Sequence, residues 1–353
     1  MKNFLKTVII KRRRMKDPKE ITLGELLTHL EAGKIYCPSC QELSDLSGLK
    51  SLEYDECPVC QAKVFVPKKL KNYWMFSIIG HGGMGHVYKA VCIEEPDEYF
   101  AIKVVQKDRM KVKGLAESLM QEAEYTTLFS DHRNSVVPVE YGASGGQVYL
   151  VTEYIPGITL DEVIIRDGYI CERLLVKYML DLVSVQTYIC SKGYLYRDIK
   201  PQNMVITPED DLMLIDYGLC VTKEEAATDL HEDTVLGSSH YIPPERILGE
   251  PEDVRSEIYS IGMIMFHCLA GETYFPSGEP QEVAELHVSD SRYENIAKRL
   301  PKVSPETLEA LERMILREPD ERVQTMEELT SVFKYVYKSL HNANYIEGTP
   351  TNH

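Results

Sequence analysis

Apolar positions divide the chain into stretches of different period. Between Ile21 and Gly33, Leu23, Leu26, Leu27 and Leu30 recur at helical spacing, with Thr22 placed to cap the first turn and Gly33 to stop the last. From Tyr73 the period shortens. Residues 76–80 and 86–92 read as strands around a glycine-rich turn, 99–105 as a third strand, and 136–141 and 148–151 as two more. One helical stretch, 114–129, interrupts them. Beyond Thr159 the pattern is mostly helical, and Leu174, Leu175, Tyr178, Met179, Leu182 and Val183 form an apolar stripe that reads as core. A β-rich half followed by an α-rich half predicts an α+β fold in two lobes with a cleft between them.

Composition adds bounds. The 353 residues are 44% hydrophobic and 27% charged, an ordinary soluble balance, and the length allows two or three domains. No apolar run approaches the eighteen or so residues of a membrane span, and Val8-Ile9-Ile10 is too short for a secretory core, so the expected location is cytoplasmic. The net charge is −16, yet the first twenty residues hold eight Lys/Arg against Asp17 and Glu20. Residues 1–20 read as a solvated basic tail, with nucleic-acid or anionic-membrane contact as the alternatives.

Four of the nine cysteines form two close pairs, Cys37-Pro-Ser-Cys40 and Cys57-Pro-Val-Cys60. This spacing fits a closed tetrahedral Zn²⁺ shell, a structural site similar to a zinc ribbon, although Gln41 and Gln61 stand where Gly often follows the second Cys. Four unliganded thiols are the bland alternative. So short a segment builds little core, so metal binding and folding should be coupled. Asp45, Glu53, Asp55 and Glu56 lie among the pairs and would repel phosphate, which favours a protein-contact or purely structural module over nucleic-acid binding. Residues 21–66 are thus expected to be a helix plus this module, and 67–72 (Pro67-Lys68-Lys69-Leu70-Lys71-Asn72) a linker.

The densest chemistry lies in Tyr196-Arg197-Asp198-Ile199-Lys200-Pro201-Gln202-Asn203. An Asp, a Lys and an Asn at offsets 0, +2 and +5 supply a base, a phosphate-binding cation and a metal ligand. Asp216, before Tyr217-Gly218, ends an apolar strand at 212–215, thirteen residues past Asn203, and suits a second metal ligand. Gly80-His81-Gly82-Gly83-Met84-Gly85 joins two strands; its N–H groups can face an anion, and a flexible hairpin explains it equally well. Lys103 is either a solvent-facing strand lysine or a phosphate cation held by Glu122, with Glu124 as a rival. Glu245 and Arg322 are candidates for a buried ion pair.

In this order and spacing the motifs in residues 73–338 resemble a eukaryotic-type protein kinase, especially the Ser/Thr kinases found in bacteria. The resemblance implies a kinase domain over 73–340, with 341–353 as a tail. It implies Mg²⁺-dependent (or Mn²⁺-dependent) transfer of the ATP γ-phosphate to Ser or Thr hydroxyls of proteins. Ile79 would open the nucleotide loop and contact the cofactor, Gly80, Gly82, Gly83 and Gly85 would cover the phosphates, and Lys103, paired with Glu122, would hold the α- and β-phosphates. Thr152, Glu153 and Ile155 would form the gatekeeper and hinge, with Val87, Ala101 and Val205 around adenine. Asp198 would accept the hydroxyl proton, Lys200 would neutralise the γ-phosphate, and Asn203 and Asp216 would bind Mg²⁺. Arg197 would receive a phosphate on the activation segment, with Thr234 the preferred site and Thr222 and Thr228 as others. Tyr196, Tyr217, Ser238 and Pro243 depart mildly from the usual pattern. Glu257 departs more: the family uses Asp there to anchor the catalytic loop, and the extra methylene raises a pseudokinase scaffold as the alternative. A third reading makes the ribbon a nucleic-acid-binding regulator.

Overall fold

The computed structural model describes residues 21–81, 85–105, 109–112, 114–228, 239–276, 278–289 and 296–346. The basic tail 1–20, Gly82, Gly83, Thr234, Ser238 and residues 347–353 lie outside them. The chain forms two compact units, one reaching to Lys111 and including Gly142–Tyr154, the other comprising Val112–Tyr141 and the rest from Ile155.

The first unit opens with helix α1 (Leu23–Glu31). As expected, Thr22 caps it: its hydroxyl accepts the Glu25 N–H at 3.2 Å, and the Glu25 carboxylate accepts the Thr22 N–H at 3.0 Å. Two short antiparallel hairpins follow, β1 (Lys34–Tyr36) with β2 (Leu43–Asp45) and β3 (Tyr54–Glu56) with β4 (Lys63–Phe65). Each Cys pair occupies the turn of one hairpin.

A six-stranded sheet follows. Its strands are β5 (Lys68–Leu70), β6 (Tyr73–His81), β7 (His86–Cys92), β8 (Tyr99–Val105), β9 (Pro138–Ser144) and β10 (Gln147–Glu153), in the order β5-β6-β7-β8-β10-β9. Of the edge strand β9, only residues 142–144 belong to this unit. The expected linker at 67–72 is therefore wrong. Lys68 pairs with Met75 and Leu70 with Tyr73 across a tight turn in which Lys71 takes φ +53°. Leu70 is buried, while Lys69 reaches Glu31 at 2.9 Å. Lysines on a sheet edge discourage pairing with other chains, and they made this strand look like a solvated connector.

Helix α1 lies against this sheet through Leu27, Leu30, Trp74 and Val91. The Glu31 carboxylate also accepts the Trp74 indole N–H. The Cys-rich module is thus part of the sheet-bearing unit.

In the second unit, α2 (Leu115–Phe129) starts at Gly114 and carries Glu122 on its buried side. Then come β11 (Ile158–Thr159), α3 (Leu160–Asp167), α4 (Glu172–Ser191), β12 (Tyr194–Leu195), β13 (Met204–Ile206), β14 (Leu212–Leu214), β15 (Val221–Thr222) and α5 (Lys223–Thr228). The rest is helical: α6 (Pro244–Leu248), α7 (Val254–Ala270), α8 (Pro280–Val288), α9 (Ile296–Arg299), α10 (Pro305–Met314) and α11 (Met326–Ile346). Helix α7 is buried almost all round, as a central core helix must be. Its Gly262 lets α10 approach, because a Cβ there would stand 2.9 Å from Met314 Cβ.

Several boundaries shift; β6 begins at Tyr73 rather than 76, and β9 ends at Ser144 rather than 141. Strand β9 begins at Pro138 rather than 136, because the Val136 N–H is taken by the Leu214 carbonyl at 3.1 Å. Helix α11 runs past the expected end of the domain at 340, and His341 accepts a hydrogen bond from Arg173 at 3.0 Å. The expected Glu245–Arg322 pair is present and buried, with contacts of 2.7 and 2.9 Å.

Candidate active site

Residues 196–203 connect β12 to β13, and the hairpin β13–β14 fixes where that loop ends. Tyr196 is fully buried and packs edge-on against Tyr217 at 5.7 Å. Tyr217 in turn touches Phe129 and shares a hydrogen bond with Ser135. These rings form the floor of the loop.

On that floor the Asp198 carboxylate is held from two sides. Lys200 Nζ donates to Oδ2 at 2.7 Å and Asn203 Nδ2 donates to the same oxygen at 2.8 Å. Asn203 Nδ2 also donates to the Asp198 carbonyl at 3.0 Å, so the loop closes on itself. The Asn203 carbonyl accepts the Ile215 N–H at 3.1 Å, which brings the residue before Asp216 beside the loop. Asp216 Oδ1 accepts the Gly218 N–H at 2.9 Å. Burial, and then the charges of Asp198 and Asp216, push the Tyr196 hydroxyl well above its ordinary pKa, so both carboxylates act on one buried ring. The structure thus brings together Asp198, Lys200, Asn203 and Asp216. Carboxylate and amide oxygens suit a hard divalent cation, and Asn203, whose amide nitrogen faces Asp198, offers its oxygen.

Arg197 has φ +66°, an uncommon backbone for an arginine, and its surroundings hold it there. Its N–H donates to Glu257 Oε1 at 2.9 Å, and its carbonyl accepts from Arg246 Nη1 at 2.7 Å. Glu257 therefore does anchor the loop despite its extra methylene, but through one oxygen; Oε2 has no hydrogen-bond partner. Burial raises the Glu257 carboxyl to about 7. Arg197 Nη2 lies 2.6 Å from Glu252 Oε1. Glu252 and Arg246 were not foreseen. Neither belongs to a contiguous motif, and Glu252 lies 55 residues from Arg197 in the chain.

The remaining expected residues divide between the units. In the first, Ile79 and Gly80 precede the last residue of β6, Val87 opposes both Gly80 and Lys103, and Ala101 opposes Thr152. Gly85 fits tightly: a Cβ there would stand 2.3 Å from the Val104 carbonyl oxygen. Lys103 is buried in β8, and Glu153 ends β10. In the second unit, Glu122 is buried on α2, Val205 is buried on β13, and Ile155 packs on the helical core. Thr222 caps α5 through Glu225, and Thr228 bonds the Glu224 carbonyl.

A profile of the protein kinase domain matches residues 73–334. The chain belongs to the protein kinase family. Among its relatives, a Bacillus subtilis serine/threonine-protein kinase, PrkC, is 29% identical over 270 residues, which is 75% of this chain and 40% of that protein. The Mycolicibacterium smegmatis serine/threonine-protein kinase PknB is 27% identical over 269 residues, covering 74% and 43%. A probable serine/threonine-protein kinase of Clostridium perfringens is 26% identical over 270 residues, covering 76% and 38%. The kinase chain therefore spans about two-fifths of the length of these relatives. No described helix is long and apolar enough to cross a membrane.

The cysteine cluster forms a second site. The Sγ atoms of Cys37, Cys40, Cys57 and Cys60 all lie within 4.8 Å of one another. Cys37–Cys60 and Cys40–Cys57 are 3.6 and 3.9 Å apart, bracketing the edge of about 3.8 Å that a tetrahedron with Zn–S bonds of about 2.3 Å requires. Backbone N–H groups of Cys60 and Val59 draw Cys57 down to about 6, whereas burial and the neighbouring thiols push Cys40 up to about 12 and raise Cys60. The two turns are equivalent. Gln41 N–H bonds Cys37 O and Gln61 N–H bonds Cys57 O, and both glutamines are left-handed, at φ +62° and +61°. This is the conformation for which Gly is the usual occupant.

Proposed function

We propose that this kinase transfers the γ-phosphate of ATP to Ser or Thr hydroxyls of protein substrates, with Mg²⁺ as the required cation. The observation that carries the reading is Asp198, whose carboxylate is fixed by Lys200 and Asn203 at 2.7 and 2.8 Å, with the residue before Asp216 hydrogen-bonded to the Asn203 carbonyl at 3.1 Å. Asp198 orients the acceptor hydroxyl and takes its proton. Lys200 places a positive charge beside that carboxylate, where negative charge on a transferring phosphoryl group is neutralised. Asn203 and Asp216 hold Mg²⁺, which when bound offsets phosphate charge. Lys103, with Glu122 as its implied partner, takes the α- and β-phosphates. Gly80, Gly82, Gly83 and Gly85 cover the phosphates, and Val87, Ala101, Val205 and the segment 152–155 receive adenine. The four cysteines hold a structural Zn²⁺, a role supported by their sulfur spacing. A protein partner for the module remains the preferred use of its surface over nucleic acid.

The scaffold alternative rested on Glu257. Its hydrogen bond to the Arg197 N–H favours a fastened, working loop. The test is transfer of labelled γ-phosphate from Mg-ATP to Ser- and Thr-containing peptides by the full chain. Asp198→Asn should lower the rate about a hundredfold or more, since general-base catalysis contributes 10²–10⁴. Equal rates in wild type and variant would refute the assignment.

A further inference from the structure

The catalytic loop is fastened by a group of charges that no contiguous motif contains. Glu252 sits between α6 and α7, and its side chain is 3% exposed. One carboxylate oxygen meets Arg197 Nη2 at 2.6 Å; the other accepts from Arg246 Nε at 2.9 Å and Nη2 at 2.7 Å. Arg246 returns to the loop through the Arg197 carbonyl. The Glu252 N–H donates to the Ala226 carbonyl at 2.9 Å, and Ala226 belongs to α5 in the activation segment. One residue thus ties the arginine beside Asp198 to the segment leading towards α6. A carboxylate inside two guanidinium groups is compensated; removing it would leave two buried cations facing each other. Glu225, whose carboxyl is held below the usual range first by the Thr222 N–H and hydroxyl and last by the charge of Arg197, adds a second carboxylate within reach of that arginine's field. A phosphate arriving there would meet Glu252 and Glu225.

We propose that Glu252 supplies from within the fold the anion that orients Arg197 and the catalytic loop, so that transfer requires no phosphate on the activation segment. Glu252 is a positioning residue: it acts on Asp198 through Arg197. This rests on the kinase assignment above, and it replaces the expectation that a phosphate on Thr234 does this work.

The test uses the full chain stripped by a phosphatase, with complete dephosphorylation established by mass spectrometry. Stripped wild type should keep its kcat within about twofold of the untreated protein. Glu252→Gln should lower kcat tenfold or more while KM for ATP and ATP-binding stoichiometry stay put, and Glu252→Asp, which keeps the charge, should recover part of the loss. The stoichiometry separates a misplaced loop from an unfolded protein, which would lose binding sites in proportion. Loss of activity on stripping, restored by rephosphorylation, overturns the proposal. So does a Glu252→Gln protein with wild-type kcat. A wild type inactive in both states overturns the kinase assignment itself, and this inference with it.

Discussion

Glu257 holds a carboxyl where water does not reach it. It is 1% exposed, with one oxygen bonded to the Arg197 N–H and the other without a partner. Desolvation raises its pKa to about 7 from 4.5; Arg246 and Arg197 oppose the rise, Glu252 adds to it, and the thiols of Cys190 and Cys220 lie within its field. The folded protein therefore binds this proton more tightly than the unfolded chain. The stabilising contribution is complete below about pH 4.5 and disappears as pH rises through about 7. A shift of this size corresponds to roughly 3 kcal/mol. Glu257→Gln, which cannot ionise, should gain about 2–3 kcal/mol in denaturant-measured stability relative to wild type between pH 5 and pH 8. A difference that stays flat with pH would show that the ionised carboxylate is relieved in some other way. The candidate catalytic residues were legible because Asp198, Lys200 and Asn203 lie within one loop, where they hydrogen-bond one another. Glu252 and Arg246 were not, because charge compensation across the fold leaves no local pattern.

The secondary-structure elements show the same division between local and distant causes. Helix α1 announced itself through Thr22, Gly33 and four leucines, all close together in the chain, and strand β8 was read to the residue. Strand β5 was missed because three residues with two lysines carry no strand period of their own: Leu70 is buried only when the chain turns back and sets Tyr73 opposite it. The start of β9 was misplaced because a carbonyl of β14 claims the Val136 N–H. The cysteine hairpins lie between these cases. Their spacing gave the ligand set, but not the left-handed turns at Gln41 and Gln61. Such a backbone costs an L-residue about 1–2 kcal/mol, against about 0.5–1 kcal/mol for the extra freedom glycine loses on folding. Gln61 is exposed, so Gln61→Gly removes little contact. The zinc-loaded Gln61→Gly chain should be more stable by about 0.5–1 kcal/mol, seen as a higher melting temperature. A lower one would mean that the side chain contributes more than the turn costs.

At the largest scale, the cysteine module and the sheet of the first unit share packing, so the one is expected to depend on the other. The core of the two hairpins is Ile35, Cys37, Cys57 and Val64, too little apolar surface to persist without metal. Leu46 packs against that core and also against the cluster of Leu27, Leu30, Trp74 and Val91 that seats α1 on the sheet. Loss of zinc should therefore travel from the hairpins through Leu46 to α1, and then to β6, the strand that carries both Trp74 and Gly80. The chain offers its own probe, because Trp74 is its single tryptophan and is 9% exposed. Stripping the metal with a chelator should shift its emission to longer wavelength and raise KM for ATP, and added Zn²⁺ should reverse both. Cys57→Ser should give the same shift without chelator. If emission holds steady after elemental analysis shows the zinc gone, α1 is seated by its own contacts with Trp74 and Val91, and the module does not support the sheet.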